Sequence, residues 1–152
     1  MKKLLLLSFL LLSFNIFAQS NEEEKAVQAV IEKMFDAMRS GDSTSLRNVF
    51  HPSARLMSTY YKDGASKIHE GSIDRFVASV GTPHDEIFDE KIWSYDIRID
   101  GNLASVWTEY SFYLGKNLRH CGVNAFHLFK SDEGWMITQI TDTRRKEKCK
   151  TE

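Results

Sequence analysis

The stretch KIWSYDIRIDGNLASVWTEYSFYL, residues 91–114, decides the fold. Its residues alternate between apolar and polar from Lys91 to Asp100, Asp100-Gly101-Asn102 offers tight-turn chemistry, and the alternation returns from Leu103 to Leu114. A period of two marks half-buried strands, and a Gly-bearing turn between two such runs marks a hairpin. Residues 119–130 and 135–143 repeat the pattern around Ser131-Asp132-Glu133-Gly134. The chain therefore closes with four long strands joined by hairpins.

Upstream the period is that of a helix. In residues 22–40, Val27, Val30, Ile31, Met34, Phe35 and Met38 form the stripe of an amphipathic helix, with Asn21 placed to cap it and Gly41 to end it. Asp42 opens a short second helix carrying Leu46, Val49 and Phe50, which Pro52 ends. Residues 54–61 read as a strand with Lys62-Asp63-Gly64 as its turn, and Ser72 caps a third helix carrying Ile73, Phe76, Val77 and Val80. Residues 81–89 read as a connector. Three helices followed by hairpin-linked strands predict an α+β chain with an antiparallel sheet.

The composition narrows what such a domain does. The chain has 152 residues, 42% hydrophobic and 27% charged, with a formal net charge of −1. A nucleic-acid surface needs a large Lys/Arg excess, a disordered chain is less apolar, and a disulfide scaffold has more than two Cys. No HxH or HExxH spacing joins the five His, so no metal is expected. No nucleophile elbow, phosphate loop or dinucleotide fingerprint is present, and no cofactor is expected.

The first eighteen residues read as an export signal. Lys2 and Lys3 precede an apolar run over residues 4–18, broken by Ser8, Ser13 and Asn15, and Ala18 is the small residue at which cleavage is expected. That run is shorter than the ~20 residues of a membrane-spanning helix. The expectation is a periplasmic or secreted protein of residues 19–152, forming one domain, with no membrane association once the leader is gone. An oxidising compartment allows Cys121 and Cys149 to pair, provided the tail folds back, because bridged Cα atoms lie about 4.4–6.8 Å apart.

Met38-Arg39-Ser40-Gly41-Asp42 closing the first helix, and Val49-Phe50-His51-Pro52-Ser53-Ala54-Arg55 leaving the second, resemble the nuclear transport factor 2-like superfamily. Cys121-Gly122-Val123-Asn124-Ala125-Phe126, then Asp132-Glu133-Gly134-Trp135-Met136-Ile137 and Thr141-Asp142-Thr143-Arg144-Arg145, resemble its exported SnoaL-like or "putative lumazine-binding" branch. The resemblance implies a cone: a strongly curved sheet wrapped around the helices, enclosing a pocket and commonly dimerising through its outer face. Members range from isomerases, cyclases and epoxide hydrolases to non-catalytic carriers, so the fold alone decides no activity. Ketosteroid isomerases place a Tyr on the first helix and an Asp on the next strand, where this chain has Phe35 and Leu56-Met57-Ser58-Thr59. Limonene-epoxide-hydrolase-like members carry an Arg-x-Asp where this chain reads Thr108-Glu109-Tyr110-Ser111, and its Arg98-Ile99-Asp100 runs into a turn.

Candidate pocket residues follow from strand alternation. Trp107, Glu109, Ser111 and Tyr113 share one face of their strand and Val106, Tyr110 and Phe112 the other, with the inward face left open. Glu109 beside Trp107 is either a pocket acid or half of a surface ion pair, and His127 is either a pocket base or a structural His. These two are the catalytic candidates. His51, Tyr60, Trp107 and Tyr113 join them as ligand-binding candidates, while Asp142 and Arg144 read as a structural pair along one strand face. The leading expectation is an exported protein binding a small apolar or aromatic molecule. The alternatives are an acid–base enzyme (isomerase, cyclase or hydrolase) and a homodimeric interaction module.

Overall fold

A computed structural model describes the backbone of residues 2–151 and the side chains of residues 21–151. The elements run α1 (Lys2–Ser40), α2 (Ser43–Asn48), β1 (Phe50–Lys62), β2 (Ala65–Gly71), α3 (Ile73–Gly81), β3 (Phe88–Ile92), β4 (Asp96–Asp100), β5 (Leu103–Leu114), β6 (Asn117–Ser131) and β7 (Gly134–Arg144). The side chains of the expected leader, residues 1–18, lie outside those described. Asn21 stands inside α1 instead of capping it, because the helix continues through the apolar run before it.

Local chemistry sets the other boundaries as expected. Gly41 adopts φ 72° immediately after α1, Asp42 accepts the Ser45 amide at 2.9 Å to cap α2, and Ser72 Oγ accepts the Arg75 amide at 3.3 Å to cap α3. Phe50, read as part of the second helix, opens β1 instead, and residues 65–71, assigned to no element, form β2. Two further readings need correction. Pro52 sits within β1, in the register break between Phe50 and Arg55, where the ladder does not call on its missing N–H. Residues 91–100 form not one strand but β3 and β4, and both pair with β5.

The sheet has seven strands in the order β2-β1-β7-β6-β5-β3, with β4 also on β5. Its neighbours are antiparallel except β1 and β7, which run parallel. A hairpin forces its strands antiparallel, but these two are separated by nearly half of the chain and no turn dictates their direction. The result is an α+β cone of helices against a curved mixed sheet. Val27, Ile31, Met34, Phe35 and Met38 of α1 are buried against Phe126, Leu128, Ile137 and Ile140, and Phe35 meets Phe126 edge-on at 6.2 Å. Among the described residues no helix is long and apolar enough to cross a membrane.

After β7 the tail turns back over the outer face. Cys121 and Cys149 are bridged with Cα atoms 5.5 Å apart, and Ser111 Oγ donates to the Lys150 carbonyl at 2.6 Å while accepting from Trp93 Nε1 at 3.0 Å. The ammonium of Lys150 lies 5.0 Å from the Trp93 ring centroid. Ser111 is completely buried under this strap beside its buried partner Cys121, while Glu109 on the same face stays exposed.

The bridge closes a separation of 28 residues. Reduction, or Cys149→Ser, is therefore expected to lower stability by about 3 kcal/mol, measured by urea unfolding with and without reductant. A Cβ at Gly122 would collide with the backbone carbonyl of Thr143 on β7, which cannot withdraw from the ladder. Gly122→Ala is expected to cost more than about 2 kcal/mol in the same measurement.

Candidate functional site

The stripe of α1 covers only part of the concave sheet. Met34, Phe35 and Met38 from α1 and Phe76 from α3 face Leu56, Phe88, Phe112 and Ile140 from the sheet across a cavity of about 220 Å³. Its polar end comes from the sheet: Glu90 on β3, His120 and Asn124 on β6, Asp142 and Arg144 on β7. Glu90 and Phe35 also line a wider surface groove of about 450 Å³ between α1 and β3, where Trp93 and Tyr95 stand. Cavity and groove therefore adjoin at Glu90.

The polar end is hydrogen-bonded internally. Asn124 Nδ2 donates to Glu90 Oε1 at 2.7 Å, and Arg144 Nε meets Asp142 Oδ2 at 2.7 Å. The Tyr110 hydroxyl lies 3.3 Å from Asp142 Oδ2 and 2.9 Å from the Thr143 carbonyl, the geometry of a donor shared between two acceptors. Asp142 Oδ1 is buried without a hydrogen-bond partner. The expected Asp142–Arg144 pair thus forms, and it lines the cavity.

Burial dominates the titration of this cluster. Loss of hydration pushes the Glu90 carboxyl up to about 7, helped by the charge of Asp142 and opposed by the Asn124 hydrogen bond. It holds His120 down at about 4, with Arg144 adding to the effect, so the imidazole is neutral at ordinary pH. Tyr110 is driven far above the usual phenol range by burial and by the nearby Glu90 and Asp142. Burial works against the charge of Arg144, but its hydrogen bond and attraction to Asp142 prevail and raise its pKa. A carboxyl that exchanges its proton near neutral pH can accept, donate or transfer a proton to a molecule beside it.

None of the six residues read from alternation lines this cavity. The face that turns inward on β5 carries Ala104, Val106, Thr108 and Tyr110, all buried, so Trp107 and Glu109 stand exposed on the outer face. Tyr113 is outward too, half-buried, with Lys91 Nζ 5.4 Å from its ring centroid. His127 is exposed between Ser105 and Gln139. His51 takes up Ser53 Oγ at 2.7 Å and meets Phe129 edge-on at 6.1 Å. Tyr60 lies in register with Arg144, on the strand face of Leu56 and Ser58 but beyond the cavity lining. Glu109 and His127 are therefore not brought to the polar end. Asn124 and Asp142 were findable: each is polar at a position in phase with core residues, Phe126 on β6 and Ile140 on β7. Among the described residues no group of three or more His, Cys, Asp or Glu could hold a metal ion.

The chain belongs to the family described as "Putative lumazine-binding", whose profile matches residues 22–141. No curated protein matches it. Solved structures of similar fold include an NTF2-like protein from Shewanella baltica, at TM-score 0.65 and 20% identity over 83% of this chain and 96% of that one. A second, with a cystatin-like fold, from Novosphingobium aromaticivorans, has TM-score 0.69 and 10% identity over 88% and 89% of the two chains. A third, titled "putative dehydratase from the NTF2-like family", from Streptomyces avermitilis, has TM-score 0.59 and 14% identity over 82% and 97%. These likenesses show that the chain shares the fold of NTF2-like proteins.

The raised Glu90 pKa carries a signed consequence for stability. Between the ordinary value of 4.5 and about 7 the folded state holds a proton that the unfolded state releases, so this contribution falls as pH rises through that window. His120 acts oppositely: its contribution rises with pH from about 4 to the ordinary 6.5. Glu90→Gln is expected to stabilise the protein above about pH 7, by at most about 3 kcal/mol, and to change little below about pH 4.5. Thermal melts across that range check it.

Proposed function

We propose that this member of the "Putative lumazine-binding" family is an exported small-molecule-binding protein, whose cavity holds a small, largely apolar or aromatic molecule. One observation carries the reading: eight apolar side chains line a partly open space of about 220 Å³ that has a single polar end. Ligand sites are characteristically concave and mostly apolar, with a few polar groups that orient the guest. The volume is below the ~300–1,000 Å³ usual for such sites, which favours a one-ring or compact two-ring molecule.

In this reading residues 1–18 are a leader cut after Ala18, and residues 19–152 form one domain in the periplasm or outside the cell. The Cys121–Cys149 bridge suits that compartment. Leu103, Trp107 and Phe129 are 56%, 53% and 36% exposed on the outer sheet face, which supports pairing with a second copy of the chain. No nucleic-acid partner is proposed, and no membrane partner after leader removal.

A second reading, an acid–base enzyme such as an isomerase, cyclase or hydrolase, is favoured by the Glu90 carboxyl near 7 at the edge of an apolar cavity. Glu90, in place of Glu109 or His127, would then exchange the proton.

Native, non-reducing mass spectrometry of the protein made with its own leader tests the first reading. The expected spectrum begins at Gln19, is two hydrogens light, reports a dimer and carries a ligand-sized excess that Leu56→Trp removes while circular dichroism stays unchanged. An empty protein whose Trp fluorescence responds to none of a panel of small aromatic compounds would overturn it. Conversion of the retained molecule, abolished in Glu90→Gln, would establish the second reading.

A further inference from the structure

The polar end of the cavity has more negative than positive charge built into it. Glu90 and Asp142 share one cation, Arg144, and that guanidinium is committed to Asp142 Oδ2 at 2.7 Å. Glu90 Oε1 accepts the neutral amide of Asn124, which leaves its charge uncancelled. Asp142 lines the cavity but is only 6% exposed, and its Oδ1 is buried without a hydrogen-bond partner. A buried carboxylate oxygen left without a donor is costly, so this end of the cavity is short of a donor.

The groove outside Glu90 continues the same sign. Glu32, Asp36 and Asp89 line it, against Arg39 and Lys91. Arg39 is held between Asp36 at 2.7 Å and Asp89 at 2.8 Å, and Lys91 extends its ammonium to the Tyr113 ring on the outer face. Glu32 and Asp36 together help push the Tyr95 hydroxyl up to about 12, after burial, which registers the negative field in the groove. Phe35, Trp93 and Tyr95 supply aromatic faces there. Carboxylates interleaved with aromatic rings attract organic cations by Coulomb attraction and through the ring quadrupole.

We infer that the cavity selects a small organic cation, a protonated amine or amidine on an apolar or aromatic body, with its N–H groups between Glu90 and Asp142. The inference rests on the reading of the cavity as a ligand site. An anionic guest would meet two carboxylates and an already engaged Arg144. A neutral guest would leave Glu90 to keep its own proton. His120 stays uncharged at ordinary pH and so does not repel a cation. The charged and titratable groups around Glu90 are Asp142 and Arg144 from β7, Tyr110 from β5, His120 from β6, Asp89 beside it and Asp36, Glu32 and Arg39 from α1. Glu90 gains its charge as pH rises through about 7, so an ammonium guest should bind more tightly over that rise.

Calorimetric titration of the oxidised full-length mature protein with benzylamine, benzyl alcohol and benzoate tests the inference, because the three probes share a ring and differ in charge. Benzylamine is expected to bind about tenfold more tightly than benzyl alcohol at about pH 8, to lose most of that advantage at about pH 6, and benzoate not to bind. Glu90→Gln should remove the preference of benzylamine over benzyl alcohol at about pH 8. If benzyl alcohol or benzoate binds as tightly as benzylamine at about pH 8, the charge selection is overturned while the ligand site stands. If none of the three binds, both readings fall.

Discussion

Packing of α1 into the concave face of the sheet is the contact from which the remaining geometry follows. Phe35 sits edge-on against Phe126 at 6.2 Å, and Val27 and Ile31 are completely buried. Burying such side chains contributes roughly 1.5–3 kcal/mol each, which makes this seam the main source of cohesion between helix and sheet. The sheet is wider than the stripe that covers it. Towards the Met34, Phe35 and Met38 end the helix leaves part of the concave face unfilled, and a cavity remains between it and Leu56 of β1, Phe88 of β3 and Phe112 of β5.

The polar groups at that end are expensive to keep there, and the fold meets part of the cost with short contacts within β7 and between strands one apart in the sheet. Asn124 reaches Glu90 across β5, and Asp142 holds Arg144 and faces Tyr110. Such a network makes no strong case for stability, since an apolar cluster of the same volume would serve at least as well. Its placement beside a space lined by Met, Phe and Leu is what makes it chemically notable, because low polarity strengthens every interaction a guest would make there. The strap joined through Cys121 and Cys149 lies on the opposite side of the same strands, and it stiffens the sheet that positions these groups.

Much of the architecture was legible from local chemistry. The stripe of α1, the caps at Asp42 and Ser72, the hairpin at Gly101, the turn before Gly134 and the approach of Cys121 to the chain end all depend on residues a few positions apart, or on hairpin register. The site was harder to read. Alternation in β5 separates Trp107, Glu109 and Tyr113 from Val106 and Tyr110, but the period is the same whichever face turns inward. The face carrying Trp107 and Glu109, offered as one of two possible inward faces, is the outer surface. Glu90 escaped notice because β3 is short and follows residues that read as a connector. His120 and Arg144 sit near strand ends where solvation was the simpler expectation.

By itself the sequence determined the helical stripes, the hairpin turns at Gly101 and Gly134 and the residues available for a core, because helical and strand periods, caps and turns act over a few bonds, but it did not show β2 or the division of residues 91–100 into β3 and β4. It also determined which two cysteines could pair. Only the tertiary structure decided which sheet face is concave, that β1 runs parallel to β7, and that Glu90, His120, Asn124, Asp142 and Arg144 converge on one cavity. The physical reason is that these facts depend on how a whole sheet twists and which face the helix covers. That is settled by the summed burial of many distant side chains, and no single segment records it.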